Sequence, residues 1–523
     1  MNPWKIINPK LDVEHLVQSI YESRGVSDYK ALFALNEQNF YDPYELNDME
    51  KAVDRIMLAV HNKEKILIYG DYDVDGITST YLMYKTIRLL GGNVSYDIPN
   101  RFVNGYGLTK SKAYEMINNN IALIITVDNG IKSFEEIEIF VKNGVDVIIT
   151  DHHEVEKQIP KATAVIHTDL SDYPFKPMAG VGVAFKLSMA LLGDDALEML
   201  DLVALGTISD MMPLIDENRA FVNVGLKQLM NSNNIGLRTL LQYLNIDTPS
   251  VADVQFSIAP RLNACGRMKS AKLAVELLKA FSHKDALRII EQIEEINNMR
   301  KDLTKKLYAM VKKEIDLDQP SIIVHSPQMH EGVVGIVASR LANEFGKVAV
   351  VLKEEEFTYK GSIRSYNGVD VHDILTRMSH IMLRYGGHQN AAGLEFTKEH
   401  LNEFIEAFNQ SIPTAKIDDA TPAEGALNIK EVSFSMINDL EKYDLKDALF
   451  VFENIYPYQS YLIKGEHTKL VVDQDTEAIF FNNTALYYAL KNNKVVSLLG
   501  RLDTNTFRGK TKKQIIIEDY KLN

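Results

Sequence analysis

The chain is short of cysteine, of basic excess and of long apolar runs, and each shortage excludes a class of protein. Its only cysteine is Cys265, so an intrachain disulfide and a cysteine-based zinc site are both excluded, and nothing calls for an oxidising compartment. Acidic residues outnumber basic ones, 71 against 57, giving a formal charge of −14. A protein that coats nucleic acid non-specifically leans the other way, so any such contact must come from local basic patches. Nowhere do about 18 uncharged apolar residues run together, and Met1 to Lys10 hold no apolar core of a secretion signal. A cytoplasmic protein with no membrane attachment is expected. What is present is an ordinary globular balance, 46% hydrophobic and 24% charged over 523 residues, enough for several domains.

From Lys65 onward short apolar runs alternate with helical patterns. Strands are expected at Lys65–Tyr69, 93–98, 122–127, 145–150 and 164–167, with helices near 78–90, 110–118 and 133–143 between them. Near-continuous Ile, Val and Leu strands separated by helices indicate a parallel sheet covered on both faces, a doubly wound α/β domain. Helical spacing follows through 182–192, 197–208 and 224–244. A helical connector rich in Glu and Lys, with no Pro or Gly, runs from 272 to about 315, and a second, smaller α/β unit follows with strands near 321–325, 348–352 and 359–364. The remainder reads as a small β-barrel. The expected division is an N-terminal extension (1–62), an α/β domain (63–270), the connector (271–318), the second α/β domain (319–412) and the barrel (413–523).

The chemistry concentrates in Gly70-Asp71-Tyr72-Asp73-Val74-Asp75-Gly76, directly after a buried strand. Three carboxylates in one turn repel one another unless protons or a cation neutralise them. An EF-hand calcium loop shares the opening spacing but fails at its twelfth position, Leu82, and in being preceded by a strand. Two further strands end in Asp128-Asn129-Gly130 and Asp151-His152-His153. Parallel strands place their C-terminal ends on one edge, so these residues converge despite their separation in sequence. Mixed carboxylate and imidazole donors suit manganese, magnesium or iron better than structural zinc. Asp210, in Gly206-Thr207-Ile208-Ser209-Asp210-Met211-Met212-Pro213, is a carboxylate at an apolar helix end; by itself it fits a helix cap as well as a ligand.

Taken in order, GDYDVDG, VDNG, DHH, GTISDMMPL and the late Gly386-Gly387-His388 resemble the DHH phosphoesterase superfamily, and within it the branch of exonucleases specific for single-stranded DNA. The resemblance implies that Asp73, Asp75, Asp128, His152 and Asp210 hold two divalent ions, manganese or magnesium, with His153 facing the scissile phosphate. Asp71 and Asp151 are then expected to orient the ligands by hydrogen bonding. Arg101, and Arg261 and Arg267 in Pro260-Arg261-Leu262-Asn263-Ala264-Cys265-Gly266-Arg267, match substrate contacts of that family. So do Ser362 and Arg364, and Gly386, Gly387 and His388, read as a glycine-rich loop. Arg508, Lys510, Lys512 and Lys513, beside Phe507, fit the groove of an OB-fold barrel. The implied activity is removal of 5′-mononucleotides in the 5′-to-3′ direction in recombination and repair. Single-stranded DNA, a RecQ-type helicase and a single-strand-binding protein are the implied partners, and the chain is long enough to act as a monomer. Two other readings stay open: a phosphodiesterase for short oligonucleotides or cyclic dinucleotides, and an inactive DNA-binding or replisome scaffold.

Overall fold

The structure, a computed structural model, describes residues 4–99, 107–413, 420–491, 495–507 and 509–522. The chain divides into two compact units. One holds residues up to Ala34 together with 250–252 and the C-terminal part from 418; the other holds residues 35–249 and 253–417.

The larger unit is built on a five-stranded parallel sheet with spatial order Asn93–Asp97, Lys65–Tyr69, Leu123–Val127, Asp146–Thr150, Ala164–Ile166. Every residue of Leu123–Val127 is buried, because helices cover both faces, and each such Ile or Val contributes roughly 1.5–3 kcal/mol relative to exposure. The helix Val74–Leu89 follows the first strand and starts at Asp73, whose side chain accepts the Gly76 amide. Behind the sheet, Gly180–Leu192 is anchored by Lys186. This lysine is fully buried, pairs with the buried Glu217 and donates to Tyr41 O at 2.7 Å, while Glu217 also accepts the Tyr173 hydroxyl at 2.7 Å.

The expected continuous connector breaks in two, Lys272–Leu278 and His283–Val311, because Ser282 turns its hydroxyl onto the Asp285 amide at 3.1 Å and starts a new helix. The second α/β part carries a mixed sheet, Met382–His388, Ala391–Thr397, Thr358–Arg364, Ala349–Glu354, Ile322–Ser326. Its first two strands were not visible in the apolar pattern. Gly386, Gly387 and His388 therefore lie on a strand and not in a loop, paired with Gly393, Ala392 and Ala391. Gly387 has φ +141°, and a Cβ there would meet Ala391 O at 2.3 Å, so this close approach of two strands requires glycine.

In the smaller unit Trp4–Ile6 pairs with Thr421–Ala423, and seven strands form one sheet. Their order is Gly425–Ala426, Phe450–Ile455, Val496–Phe507, Lys510–Leu522, Thr476–Phe480, His467–Val471, Gln459–Ile463, over a core that includes Phe450, Phe452, Leu498 and Ile515. The ladder has two outer strands, with no pairing between them among the described residues.

Candidate metal centre

Three strand ends of the parallel sheet and two helix ends bring the acidic and imidazole side chains together. Gly70 and Gly76 let the first loop fold tightly, since a Cβ on Gly76 would meet Asp71 O at 2.5 Å. Asn263 fixes the start of the following helix by accepting the Val74 amide at 3.1 Å. Asp75 is buried in that helix's first turn. Its two oxygens accept the Gly180 and Val181 amides, at 2.7 and 2.8 Å, so a second helix N-terminus holds it in place. Asp128 adopts φ +60°, and Gly180 leaves it room: a Cβ there would meet Asp128 Oδ1 at 2.7 Å. Asn129 ties neighbouring strand ends by donating to Tyr69 O and Val127 O.

Asp151 organises the third strand end. Oδ2 accepts the Ile131 amide at 2.9 Å, and Oδ1 accepts the His152 and His153 amides and lies 2.7 Å from His153 Nδ1. Behind it, the fully buried His167 accepts the Asp169 amide on Nδ1, which leaves Nε2 to donate to His153 O at 2.8 Å. His152 Nε2 lies 3.1 Å from Asp128 Oδ1, 3.7 Å from Asp75 Oδ2 and 3.8 Å from Asp210 Oδ2. Asp210 caps the C-terminus of Leu200–Ser209, and so joins the cluster from outside the sheet.

Three overlapping sets bring their donor atoms within 4.8 Å of one another: Asp71, Asp73 and Asp128; Asp75, His152 and Asp210; Asp128, His152 and His153. Asp71 Oδ1, Asp128 Oδ1 and Asp210 Oδ2 are buried and accept no hydrogen bond. Burial first, and neighbouring carboxylates second, push Asp75 up to about 7 and Asp210 up to about 8, and raise Asp71 and Asp128 well above the usual carboxylate range. Burial, reinforced by the His153 charge, lowers His152 to about 3 and keeps it neutral, the form that ligates. His153 is the opposite case. Burial would lower it, but the Asp151 hydrogen bond and the charges of Asp151, Asp71 and Asp73 bring it up to about 9, so it is cationic at neutral pH. Orphaned oxygens with oxygen and nitrogen donors and no sulfur fit a hard divalent cation.

The other expected site residues fall into three groups. Ser362 and Arg364 share the strand Thr358–Arg364, with Arg364 Nη1 donating to Ser362 Oγ at 2.7 Å, and Gly335 makes room for Arg364 Nη2. His388 is close enough for His153 to act on it: burial, then the His153 charge, lowers its pKa. Arg267 ends the helix Ala259–Met268, and its carbonyl packs against Gly332. Arg261 is held by Glu294 at 2.7 Å and by Ser257 O at 2.7 Å, and so ties two helices together. Lys513 is a correction. It is buried, with its amine on Ile429 O and Val432 O, while Lys510 is exposed and Lys512 half-buried on the same strand. Arg101 and Arg508 lie outside the described residues.

Sequence reasoning missed His167, Asn129 and Gly180. His167 follows the strand Ala164–Ile166 at the same sheet edge, so the strand-end rule that selected Asp128 could have found it. Lys132 and His372, whose charges act on His388, were missed too.

Comparison with known proteins agrees with this geometry. Residues 65–207 match the DHH family, N-terminal domain, residues 318–414 the DHHA1 domain and residues 423–519 the RecJ OB domain. The chain is 35% identical to the single-stranded-DNA-specific exonuclease RecJ of Bacillus subtilis, over 98% of this chain and 69% of that protein. It is 31% identical to RecJ of Haemophilus influenzae, over 96% and 95%. Among solved structures, RecJ from Thermus thermophilus in complex with Mn2+ superposes with a TM-score of 0.82 at 26% identity, covering 100% of this chain and 80% of that one. An exonuclease RecJ bound to manganese gives 0.63 at 31% identity, over 71% and 96%.

Proposed function

The chain belongs to the RecJ family, and from that premise we propose that it is a single-strand-specific DNA exonuclease that hydrolyses phosphodiester bonds from the 5′ end at the Asp and His cluster, with manganese or magnesium. The observation that carries the reading is the set of buried carboxylate oxygens on Asp71, Asp128 and Asp210 that accept no hydrogen bond at converging strand ends. Divalent ions there supply charge that polarises a phosphoryl oxygen and lowers the pKa of a water.

This chain's residues then do the rest. Asp73, Asp75, Asp128, His152 and Asp210 hold the ions, and Asp151 keeps His153 oriented and charged, ready to pair with a phosphate oxygen. Asp71, whose Oδ1 is among those oxygens, would orient the ligands beside it. Arg267, Ser362, Arg364, Gly386, Gly387 and His388 contact the strand. We assign 63–270 to catalysis, 319–412 to the strand's 5′ end and 413–523 to an OB-type domain, with 271–318 as the connector. An enzyme that consumes only unpaired strands depends on a supply of them, which a RecQ-type helicase and a single-strand-binding protein would provide and protect. No helix among the described residues is long and apolar enough to cross a membrane, and the cytoplasm, where the DNA is, is the compartment we assign.

The test is product release from single-stranded DNA labelled at its 3′ end, with manganese, comparing wild type with Asp128→Ala and a blunt duplex. Shortening from the 5′ end by wild type alone, with the duplex spared, is expected. Turnover of dinucleotides without attack on long strands would move the assignment to a short-oligonucleotide phosphodiesterase.

A further inference from the structure

Antiparallel register sets the rows on one face of the second sheet. Gly386, Gly393 and Ser362 lie abreast on the strands Met382–His388, Ala391–Thr397 and Thr358–Arg364, with His388, Ala391 and Arg364 in the row on one side and Arg384, Glu395 and Lys360 in the row on the other. On the next strand these rows continue through Val351 and Ala349, which share an apolar cluster with Val337, Ala338 and Leu341 of the helix Val334–Phe345. That helix covers the inner part of the face, as far as Ser362 and Arg364. Beyond it Gly386, Gly393 and Arg384 are exposed.

The two exposed glycines answer no demand of the fold. Neither has a positive φ, unlike Gly387, and a Cβ would meet nothing within 4 Å at Gly386 and nothing nearer than 3.9 Å at Gly393. Glycine weakens a strand interior, so two side by side in open space mark a bare backbone floor that something approaches closely. At its outer end the ladder shifts register between Met382 and Arg384, which makes Leu383 the extra residue of a bulge. Leu383 is 55% exposed, Arg384 beside it is exposed, and among the described residues no carboxylate pairs with this guanidinium, its cross-strand neighbour Glu395 included. At its inner end the floor stops at Ser362, whose Oγ accepts Arg364 Nη1 at 2.7 Å. Contacts run from there to the acidic loop. A Cβ on Gly335 would stand 3.3 Å from Ser362 Oγ and 2.7 Å from Arg364 Nη2, Gly332 packs on Arg267 O, and Gly266 packs on Tyr72 O, between Asp71 and Asp73.

We propose that this floor seats the base of the 5′-terminal nucleotide, stacked flat on the Gly386 and Gly393 backbone, with Leu383 and Arg384 holding its outer side and Ser362, Arg364 and His388 taking the phosphate end. The inference rests on the nuclease reading above and adds Leu383, Arg384 and Gly393 to it. The rows flanking the floor stand about 7 Å to either side, two residues along a strand, which leaves room for a flat ring. A bare backbone and a guanidinium stacked on a ring face read no particular donor pattern, so the seat takes any base.

The test uses the full chain with manganese and two single-stranded oligonucleotides labelled at the 3′ end, alike except that the 5′-terminal nucleotide carries its base in one and is abasic in the other. Release of that first nucleotide is measured. Wild type is expected to cleave the abasic end about 10-fold less efficiently, through KM, as the loss of one stacked base implies. Arg384→Ala and Gly393→Val should each lose about five-fold on the normal end and less than about two-fold on the abasic end, where the base they would hold is already missing. Gly393→Val fills the floor where the fold has room, so its melting temperature should not fall. Wild type indifferent to the terminal base overturns the proposal. Variants that lose equally on both ends also overturn it, since a phosphate contact or a structural defect gives that pattern; Arg384→Ala, at an exposed position, decides the matter if Gly393→Val does not fold. Wild-type protein that shortens neither oligonucleotide sinks the nuclease reading itself, an outcome distinct from a failure confined to the base.

Discussion

At the edge of the parallel sheet Asp71, Asp128 and Asp210 bury carboxylate oxygens that accept nothing, whereas in the seven-stranded sheet the buried Lys513 gives its amine to two carbonyls and the buried Glu477 receives Lys469, Asn505 and Gln514. Both regions take charge out of water. In the second, each of these charges is answered inside the fold, and Glu477 is held below the usual carboxylate range although its burial opposes this. In the first, neighbours of like sign add to the cost, and Asp75 and Asp210 rise to about 7 and 8. A buried charge answered by the chain is architecture; one left unanswered marks the place where a ligand completes the structure.

The largest effect that can break this contrast is at Asp128. Asp128→Asn keeps the shape and removes a charge, so nucleotide release from single-stranded DNA should fall roughly 10³-fold, the several kcal/mol that a bound cation contributes to a transition state. The same change should make the chelated protein more stable at pH 8, by about 1 kcal/mol, because it relieves repulsion with Asp75 and Asp73. A variant that is inactive and also less stable without metal would show that Asp128 was being answered within the fold after all.

A titration sharpens the contrast without mutation. Asp75 and Asp210 have folded pKa values raised from 3.8 to about 7 and about 8, so their protonated forms favour folding. That contribution is complete below about pH 4 and is lost as pH rises through 7 and 8. The melting temperature of chelated protein should therefore fall between about pH 5 and pH 9, by a few degrees beyond any drift in the metal-loaded protein. Manganese must displace these protons, so its stabilising effect should be larger at pH 8 than at pH 6, with proton release measurable by calorimetry in two buffers. Parallel melting curves with and without metal would contradict the reading.

How much of this was legible in the sequence follows the same division. The parallel strands showed themselves because Leu123–Val127 and its neighbours are buried on both faces and read as unbroken apolar runs, and the rule of shared strand ends then gathered Asp73, Asp75, Asp128, Asp151, His152 and His153. The strands Met382–His388 and Ala391–Thr397 were hidden because glycines and polar residues replace that pattern where two backbones approach closely. Arg261 and Lys513 look like groove cations in a motif or a basic turn. Only the fold reveals Glu294 beside one and two carbonyl oxygens around the other, since those partners lie far away in sequence.

On the answered side of the contrast, Lys513→Met should cost about 2 kcal/mol, because it leaves Ile429 O and Val432 O buried without their donor. Faster amide exchange in the strand Lys510–Leu522 would report the loss, while kcat with manganese should not change.

The smallest effect comes from that strand's exposed end, where the two kinds of lysine can be separated on one element. Lys510 is exposed and Lys512 half-buried, next to Phe507, which is 67% exposed, whereas Lys513 points into the protein. A solvated lysine contributes little to stability, so Lys510→Ala and Lys512→Ala should stay within about 0.5 kcal/mol of wild type. If this turn touches the strand, each should weaken single-stranded DNA binding about two-fold at low salt, with the difference vanishing as salt screens the charge. Lys513→Met should do neither of these things at matched stability. Equal binding by all three variants would remove the turn from the DNA path and leave the strand's contacts to the larger unit, where unanswered charge gathers at the metal cluster.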